Sequence, residues 1–309
     1  MSESETARPM AGKTVVVTGG AGGIGRATAD GLARLGAAVV VVGRDRARGE
    51  AAVAAIRAGS GNDQVELLLA DLSSLADIGR LATELTARHE RLDVLINNVG
   101  RLSPRREETA EGFEETFATN VLGPFLLTQR LLPLLQSGSR ARIVNVSGGM
   151  PPGSLDFDNL QGERRYEAFR AYSHSKLANL LWTFELARRL AGSTVSANAA
   201  NPGLADTAMT RSMVTIMPPL VRPLGAAMRR LGVVVRSPAE AAVSPFRAAS
   251  DPTLAGVSSR YFEPGGKEGR PLRGATDPVA GQRLWALCEQ LVGATGQADG
   301  HTLTTRRGV

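Results

Sequence analysis

The stretch TVVVTGGAGGIGRATADGLARLGAAVVVVGR, residues 14–44, constrains this chain more than any other. A β-branched run from Thr14 to Thr18 leads directly into a glycine-rich turn. Beyond it, Ile24, Ala27, Leu32 and Leu35 lie on or near one apolar face at helical spacing. Gly36 ends that pattern, and a second apolar run follows over residues 37–42. Strand, tight turn, helix, strand is a βαβ unit whose turn sits over a helix N-terminus. Unpaired backbone N–H groups and the positive helix end converge there and form an anion site. Glycines let the backbone approach a pyrophosphate with no Cβ between them. The unit points to a bound dinucleotide.

The rest of the chain keeps the alternation. Strands are expected at 65–70, 92–96, 143–146, 195–200 and 260–262. Helices are expected at 45–59, 75–89, 111–135 (bent at Gly123-Pro124), 172–190 and 279–292. Such alternation predicts a parallel sheet covered on both faces. The residue clusters that could carry chemistry all fall just after strands, where doubly wound sheets bind ligands. With no repeat and no linker, one α/β domain over 11–293 is expected, between flexible tails at 1–10 and 294–309. Its sheet should be doubly wound and parallel, with about seven strands and helices on both faces. Residues 205–235 lose periodicity and carry Met209, Met213, Met217, Met228 and Pro218-Pro219. That composition suits an adaptable apolar substrate lid or, alternatively, a surface packed on another subunit.

Composition removes several classes of function. The chain has 309 residues and a net charge of +6, with arginines spread along it and only three lysines, Lys13, Lys176 and Lys267. No basic patch interleaved with aromatics exists, so nucleic acid is not an expected partner. The single cysteine, Cys288, excludes an internal disulfide and a cysteine metal site, and it fits a reducing compartment. The polar N-terminus resembles neither a signal nor a transit peptide, and no run approaches the ~18 apolar residues of a membrane span. A cytoplasmic location without a membrane anchor is therefore expected. His89, His174 and His301 are the only histidines, and none is placed for a Ser-His-Asp triad or a metal site.

A second signal is Tyr172-Ser-His-Ser-Lys176 within a strongly helical stretch. Residues four apart share a helix face, so the phenol and the ammonium can stand over one pocket. A free tyrosine, with a pKa near 10, is a poor acid–base group at neutral pH, and an adjacent cation favours its phenolate. At the end of the second strand stand Gly43 and Arg44. An acid there would accept hydrogen bonds from ribose hydroxyls, whereas an arginine can pair with a 2′-phosphate. NADP(H) is the expected cofactor, and Asp45 keeps NAD(H) as the alternative.

These motifs occur together and in order: Thr18-Gly19 followed by Gly23-Ile24-Gly25, Asn97-Asn98-Val99-Gly100, Asn120, Tyr172 with Lys176, and Pro202-Gly203 with Thr207. The combination, over roughly residues 12–210, resembles the short-chain dehydrogenase/reductase family. The resemblance implies a Rossmann-type fold in which a nicotinamide cofactor exchanges hydride with a small-molecule alcohol or carbonyl. It assigns Tyr172 the proton transfer, Lys176 the nicotinamide ribose, and Asn120 a water linking the lysine to solvent. Asp71 and Leu72 would flank the adenine, Asn98 and Gly100 would line the groove, and Gly203 and Thr207 would meet the nicotinamide end. The catalytic serine departs from the pattern. Aligning the strand ending at Val146 puts Ser147 on the first of a usual serine pair and Gly148 on the second, yet Ser147 lies 25 residues before Tyr172, as in close relatives. Ser147 is the expected catalytic serine, with Ser154 or a water as substitutes. Gly148 also leaves a nucleotide-binding sensor or scaffold without turnover as the competing function.

The segments 158–166 and 171–179 resemble the retinol dehydrogenase-like branch, which implies an apolar alcohol and its aldehyde or ketone as substrates. The family resemblance further implies a homodimer or homotetramer formed by the helices that hold Asn120 and Tyr172. Leu126, Leu127, Leu180 and Leu181 would serve there, or equally as core.

Overall fold

The apolar runs become the middle of one sheet. The computed structural model describes residues 8–148, 153–211, 235–271 and 273–295. Its strands are β1 (Thr14–Thr18), β2 (Ala38–Gly43), β3 (Val65–Leu69), β4 (Val94–Asn97), β5 (Ala141–Val146), β6 (Val195–Ala200), β7 (Tyr261–Phe262) and β8 (Glu268–Gly269). They lie in the order β3-β2-β1-β4-β5-β6-β7-β8. All neighbours are parallel except β7 and β8. The eighth strand goes beyond the expected seven. It is two residues long, Glu268-Gly269, and too short and polar to show a hydrophobic period.

Helices α1 (Gly23–Arg34), α2 (Arg46–Ser60) and α3 (Leu75–Arg88) follow the first three strands. Farther on come α5 (Gly123–Gln136) and α6 (Ala168–Arg189), and last α7 (Pro238–Ser250) and α8 (Pro278–Thr295). One face of the sheet packs on α3, α5, α6 and α8 through Leu81, Phe125, Trp182 and Leu284. The other packs on α1, α2 and α7 through Leu32, Ile56 and Ala248. In α1 the buried stripe is Gly25, Thr28, Ala29, Leu32 and Ala33, one step round from the face expected from its aliphatic residues. Small residues face the sheet because the helix lies close to it.

Polar side chains set the helix starts. Asp45 accepts the Arg48 N–H at 2.9 Å, and Ser74 accepts that of Asp77 at 3.3 Å. Ser237 and Glu240 form a reciprocal capping box. At the other end of the chain, the Met10 N–H donates to the Leu35 carbonyl and its side chain is buried, so residues expected in a tail are docked. The lid expected at 205–235 falls largely on 212–234, outside the described residues; Ala205 and Arg236, just outside that stretch, pair in a parallel bridge.

The helix expected at 111–135 is divided. A short α4 (Glu115–Phe117) runs into a π-helical turn, Ala118–Leu122, before α5 begins. At Gly123 a Cβ would lie 2.2 Å from the Leu72 carbonyl, so the chain passes β3's loop where only glycine fits. The widened turn precedes that contact and contains Asn120.

Leu126, Leu127, Leu180 and Leu181 are all buried within the single chain. Helix α8 closes over α6, with Gly281 against the Leu181 carbonyl and Trp285 edge-on to Phe125 at 4.9 Å. Of the two uses expected for these leucines, core is the one observed. Leu181→Ala should therefore cost about 2–5 kcal/mol in urea unfolding. The loss should not depend on protein concentration; a concentration-dependent loss would mark Leu181 as an intersubunit residue.

Candidate active site

Thr18, the last residue of β1, ties two strand ends together. Its hydroxyl donates to the Ile96 carbonyl at 3.2 Å and accepts the N–H groups of Asn98 (2.9 Å) and Val99 (3.2 Å). The Asn98 carboxamide returns a bond to the Thr18 carbonyl at 2.9 Å. Between these ends the chain turns through Gly19, whose φ of +66° favours glycine. Gly25 lies underneath, where a Cβ would stand 2.4 Å from both the Gly19 carbonyl and the Asn98 carboxamide. The first helical bond of α1 runs from the Arg26 N–H to the Gly22 carbonyl. The amides before it, at Gly23 and Ile24, border a groove of about 450 Å³.

That groove crosses the carboxyl ends of β1, β2, β4 and β6, where the strand order reverses. Most of the expected cofactor residues line it: Gly19, Gly23, Ile24, Arg44, Asp71, Leu72, Asn98, Gly100, Lys176, Pro202, Gly203 and Thr207. Thr207 rests against Gly23, 3.2 Å from where a Cβ would be, so the segment after β6 closes on the start of α1. Arg44 stands 3.6 Å from Asp71. The Asp45 carboxylate is turned into the α2 cap. Arg48, not expected from the sequence, also lines the groove. Its signal was a second arginine one helical turn after Arg44, hidden by the many arginines around it.

The remaining predicted residues stand beside the groove or behind it. Tyr172 and Lys176 share a face of α6, with the ammonium 5.4 Å from the centroid of the phenol ring. Lys176 also donates to the Val146 carbonyl at 3.4 Å, and Gly100 lies close to its Nζ. Burial governs both groups, pushing the Tyr172 hydroxyl up to about 12 and the Lys176 ammonium down to about 8. The expected lowering of the phenol by its neighbour is thus outweighed here, because the ammonium sits over the ring and both charges are desolvated.

Asn120 is fully buried. Its carboxamide accepts the Arg101 N–H at 2.7 Å and donates to the Arg101 carbonyl and to Ser175 Oγ, both at 2.8 Å. Ser175 in turn donates to the Tyr172 carbonyl at 2.7 Å. Asn120 therefore braces the helix that carries the Tyr/Lys pair. The Ser147 hydroxyl, also buried, donates to the Lys176 carbonyl at 2.9 Å. At Gly148 a Cβ would fall 2.1 Å from Asn201 Oδ1, which accepts the Gly203 N–H at 2.9 Å. The Asn201 carboxamide thus fills the space that a serine at 148 would need. Outside the groove, His174 Nδ1 accepts the Asp156 N–H at 3.5 Å and holds the loop before α6, and burial lowers its pKa.

A glycine turn at a strand-order switch, with a half-buried tyrosine and a buried lysine paired beside it, defines a nucleotide-dependent oxidoreductase of the doubly wound class. The family model described as short chain dehydrogenase matches residues 13–216. Retinol dehydrogenase 14 of Mus musculus is 41% identical over 295 residues, covering 92% of this chain and 87% of that protein. The polyprenol dehydrogenase of Mus musculus is 40% identical over 301 residues, with coverages of 94% and 88%. The Pseudomonas aeruginosa RhlG/NADP active-site complex superimposes with a TM-score of 0.67 at 29% identity, covering 85% of this chain and 98% of that one. The chain belongs to the short-chain dehydrogenase/reductase family, in its retinol dehydrogenase-like branch.

Ser147→Ala removes a buried donor from the Lys176 carbonyl, which lies within α6. It should cost about 0.5–1.5 kcal/mol of stability in chemical denaturation. No loss of stability would mean that the hydroxyl points elsewhere.

Proposed function

We propose that the protein is an NADP(H)-dependent oxidoreductase that interconverts an apolar alcohol and its aldehyde or ketone, with Tyr172 as the general acid/base. The observation that carries this reading is the Tyr172/Lys176 pair, held on one face of α6 beside the nucleotide groove.

The groove's residues suit a phosphorylated dinucleotide. Close contacts at Gly19 and Gly25 keep side chains out of the turn, and the Gly23 and Ile24 amides open onto it. Arg44 lies at the rim, and the Asp45 carboxylate, which also lines the groove, accepts the Arg48 N–H as the cap of α2. When bound, the nicotinamide cofactor supplies or accepts the hydride. In the reducing direction Tyr172 donates its proton to the substrate oxygen; in the oxidising direction it takes one back. Lys176, charged, stabilises the phenolate left after donation and holds the nicotinamide ribose. Asn120 and Ser147 are positioning residues that fix α6 against the loop after β4 and the end of β5.

An apolar substrate is supported by two relatives whose names specify retinol and polyprenol, both apolar alcohols.

The experiment is NADPH oxidation over a panel of aldehydes and ketones. Tyr172→Phe should lower kcat by at least about a hundredfold while NADPH still binds. Tight NADPH binding with no turnover by the wild type on any carbonyl would replace the enzyme with a nucleotide sensor.

The pH dependence has a definite sign. Tyr172, near 12, stays protonated through the neutral range, whereas Lys176 loses its proton as pH rises through about 8. Carbonyl reduction should therefore be level below that pH and fall above it. Lys176→Arg, whose cation persists to a pKa above about 12, should move the falling limb upward in whatever activity remains. An unmoved limb would assign it to another group.

A further inference from the structure

Segment 158–166 contributes nothing to the lining of the nucleotide groove, yet two of its side chains hold the loop that does. Gly162 has a φ of +65°, and a Cβ on it would lie 2.7 Å from the Tyr166 ring. The segment folds back on itself at this glycine and brings the tyrosine inward. The half-buried phenol sends its one hydrogen to the Ser103 carbonyl at 2.8 Å, with Glu114 Oε1 also in reach at 3.2 Å. Burial pushes that hydroxyl up to about 12, so it stays a donor through the neutral range. Five residues earlier, Gln161 Oε1 accepts the Glu114 N–H at 3.0 Å, and the Gln161 carbonyl accepts Arg106 Nε at 2.9 Å.

Both groups met by Tyr166 are buried, and both lead to the site. Ser103 stands three residues beyond Gly100, where a Cβ would lie 3.6 Å from Lys176 Nζ. Arg101, between them, lines the groove and has both of its backbone groups on Asn120. Glu114 stands at the other end of the same loop. Its carboxylate caps α4, accepting the N–H groups of Thr116 at 2.8 Å and Phe117 at 2.7 Å. Helix α4 runs directly into the π-helical turn that contains Asn120. One hydroxyl therefore touches the start and the end of the loop after β4 and ties both to the segment that leads into α6.

We propose that Tyr166 is a positioning residue for the reaction. Through Ser103 and Glu114 it fixes the loop after β4 against α6, and so sets the spacing of Gly100 and Asn120 from the Tyr172/Lys176 pair. The inference rests on the reading of that pair as the acid–base site and adds a residue that acts on it from outside the groove.

Tyr166→Phe keeps the ring and deletes the hydroxyl. In carbonyl reduction with NADPH it should lower kcat about five- to fiftyfold, while the affinity for 2′,5′-ADP, which fills only the adenosine end, stays within about twofold. The falling limb of the pH profile should also move upward from its wild-type position. Burial alone lowers the Lys176 ammonium, whose neighbours are the Tyr172 ring, Gly100 and the Val146 carbonyl, and a loosened Gly100 admits water to it. Gln161→Ala, which removes the bond to the Glu114 N–H, should shift both readouts the same way by less, and it carries the test if Tyr166→Phe does not fold. A lower thermal midpoint with kcat and the limb unchanged would make Tyr166 a residue of stability alone and overturn the proposal. So would a loss of 2′,5′-ADP affinity as large as the loss in kcat, since the disturbance would then reach the whole groove. Absence of turnover by the wild type on any carbonyl would instead overturn the acid–base reading, and this inference with it.

Discussion

The Thr18 hydroxyl is the small contact on which the site depends. One oxygen joins β1 to β4 by donating to one carbonyl and accepting two amides. It sets the strand ends at the height where the glycine turn can pass between them. Asn98 then closes the same junction from the side, and Gly25 lets α1 lie against it without a Cβ. The amides of α1 face the groove because this junction leaves them no other direction. Arg44, Arg48 and Thr207 only complete a cradle whose floor is already set.

A second constraint acts from behind. Asn97 donates to Thr128 and Asn145, and Asn145 donates to Thr183, so a buried polar ladder crosses from β4 through β5 to α5 and α6. With the Asn120–Ser175 bond and the Ser147–Lys176 bond, it holds α6 at several points along its length. Such a network favours one alignment, since a slip would add further unpaired groups to the Asn97 Oδ1 already buried without a partner. Partial removal from water acts on the pair it carries. Tyr172 and Lys176 are shifted in opposite directions by the same loss of water, each towards its neutral form.

Legibility from sequence followed the range of the interactions. The βαβ unit, the capping box at Ser237 and the alternation of strands and helices are local patterns, and each is present in the fold. Asn120 and Tyr172 could be picked out as site residues, but not the π-helical turn around the first or the desolvation of the second. Both arise from contacts with segments distant in sequence, such as the Leu72 carbonyl against Gly123. Arg48 was hidden for the same reason, because only the path of α2 past the glycine turn separates it from the other surface arginines. The role of Ser147 turned on a one-residue ambiguity at a strand end. Its hydroxyl direction follows from how close α6 comes to β5.

The sequence by itself determined the class of fold and the place of the nucleotide, because glycine, β-branched and apolar periodicities act over a few residues. It also determined the Tyr/Lys face, which needs only the pitch of a helix. Tertiary structure alone decided what each group can do there. It turned Asp45 into a cap, set Arg44 against Asp71, brought Arg48 beside Gly22 and put four leucines of the α5 and α6 helices into the core. The reason is physical: charge, burial and hydrogen-bond direction depend on neighbours that the chain brings together only when it folds.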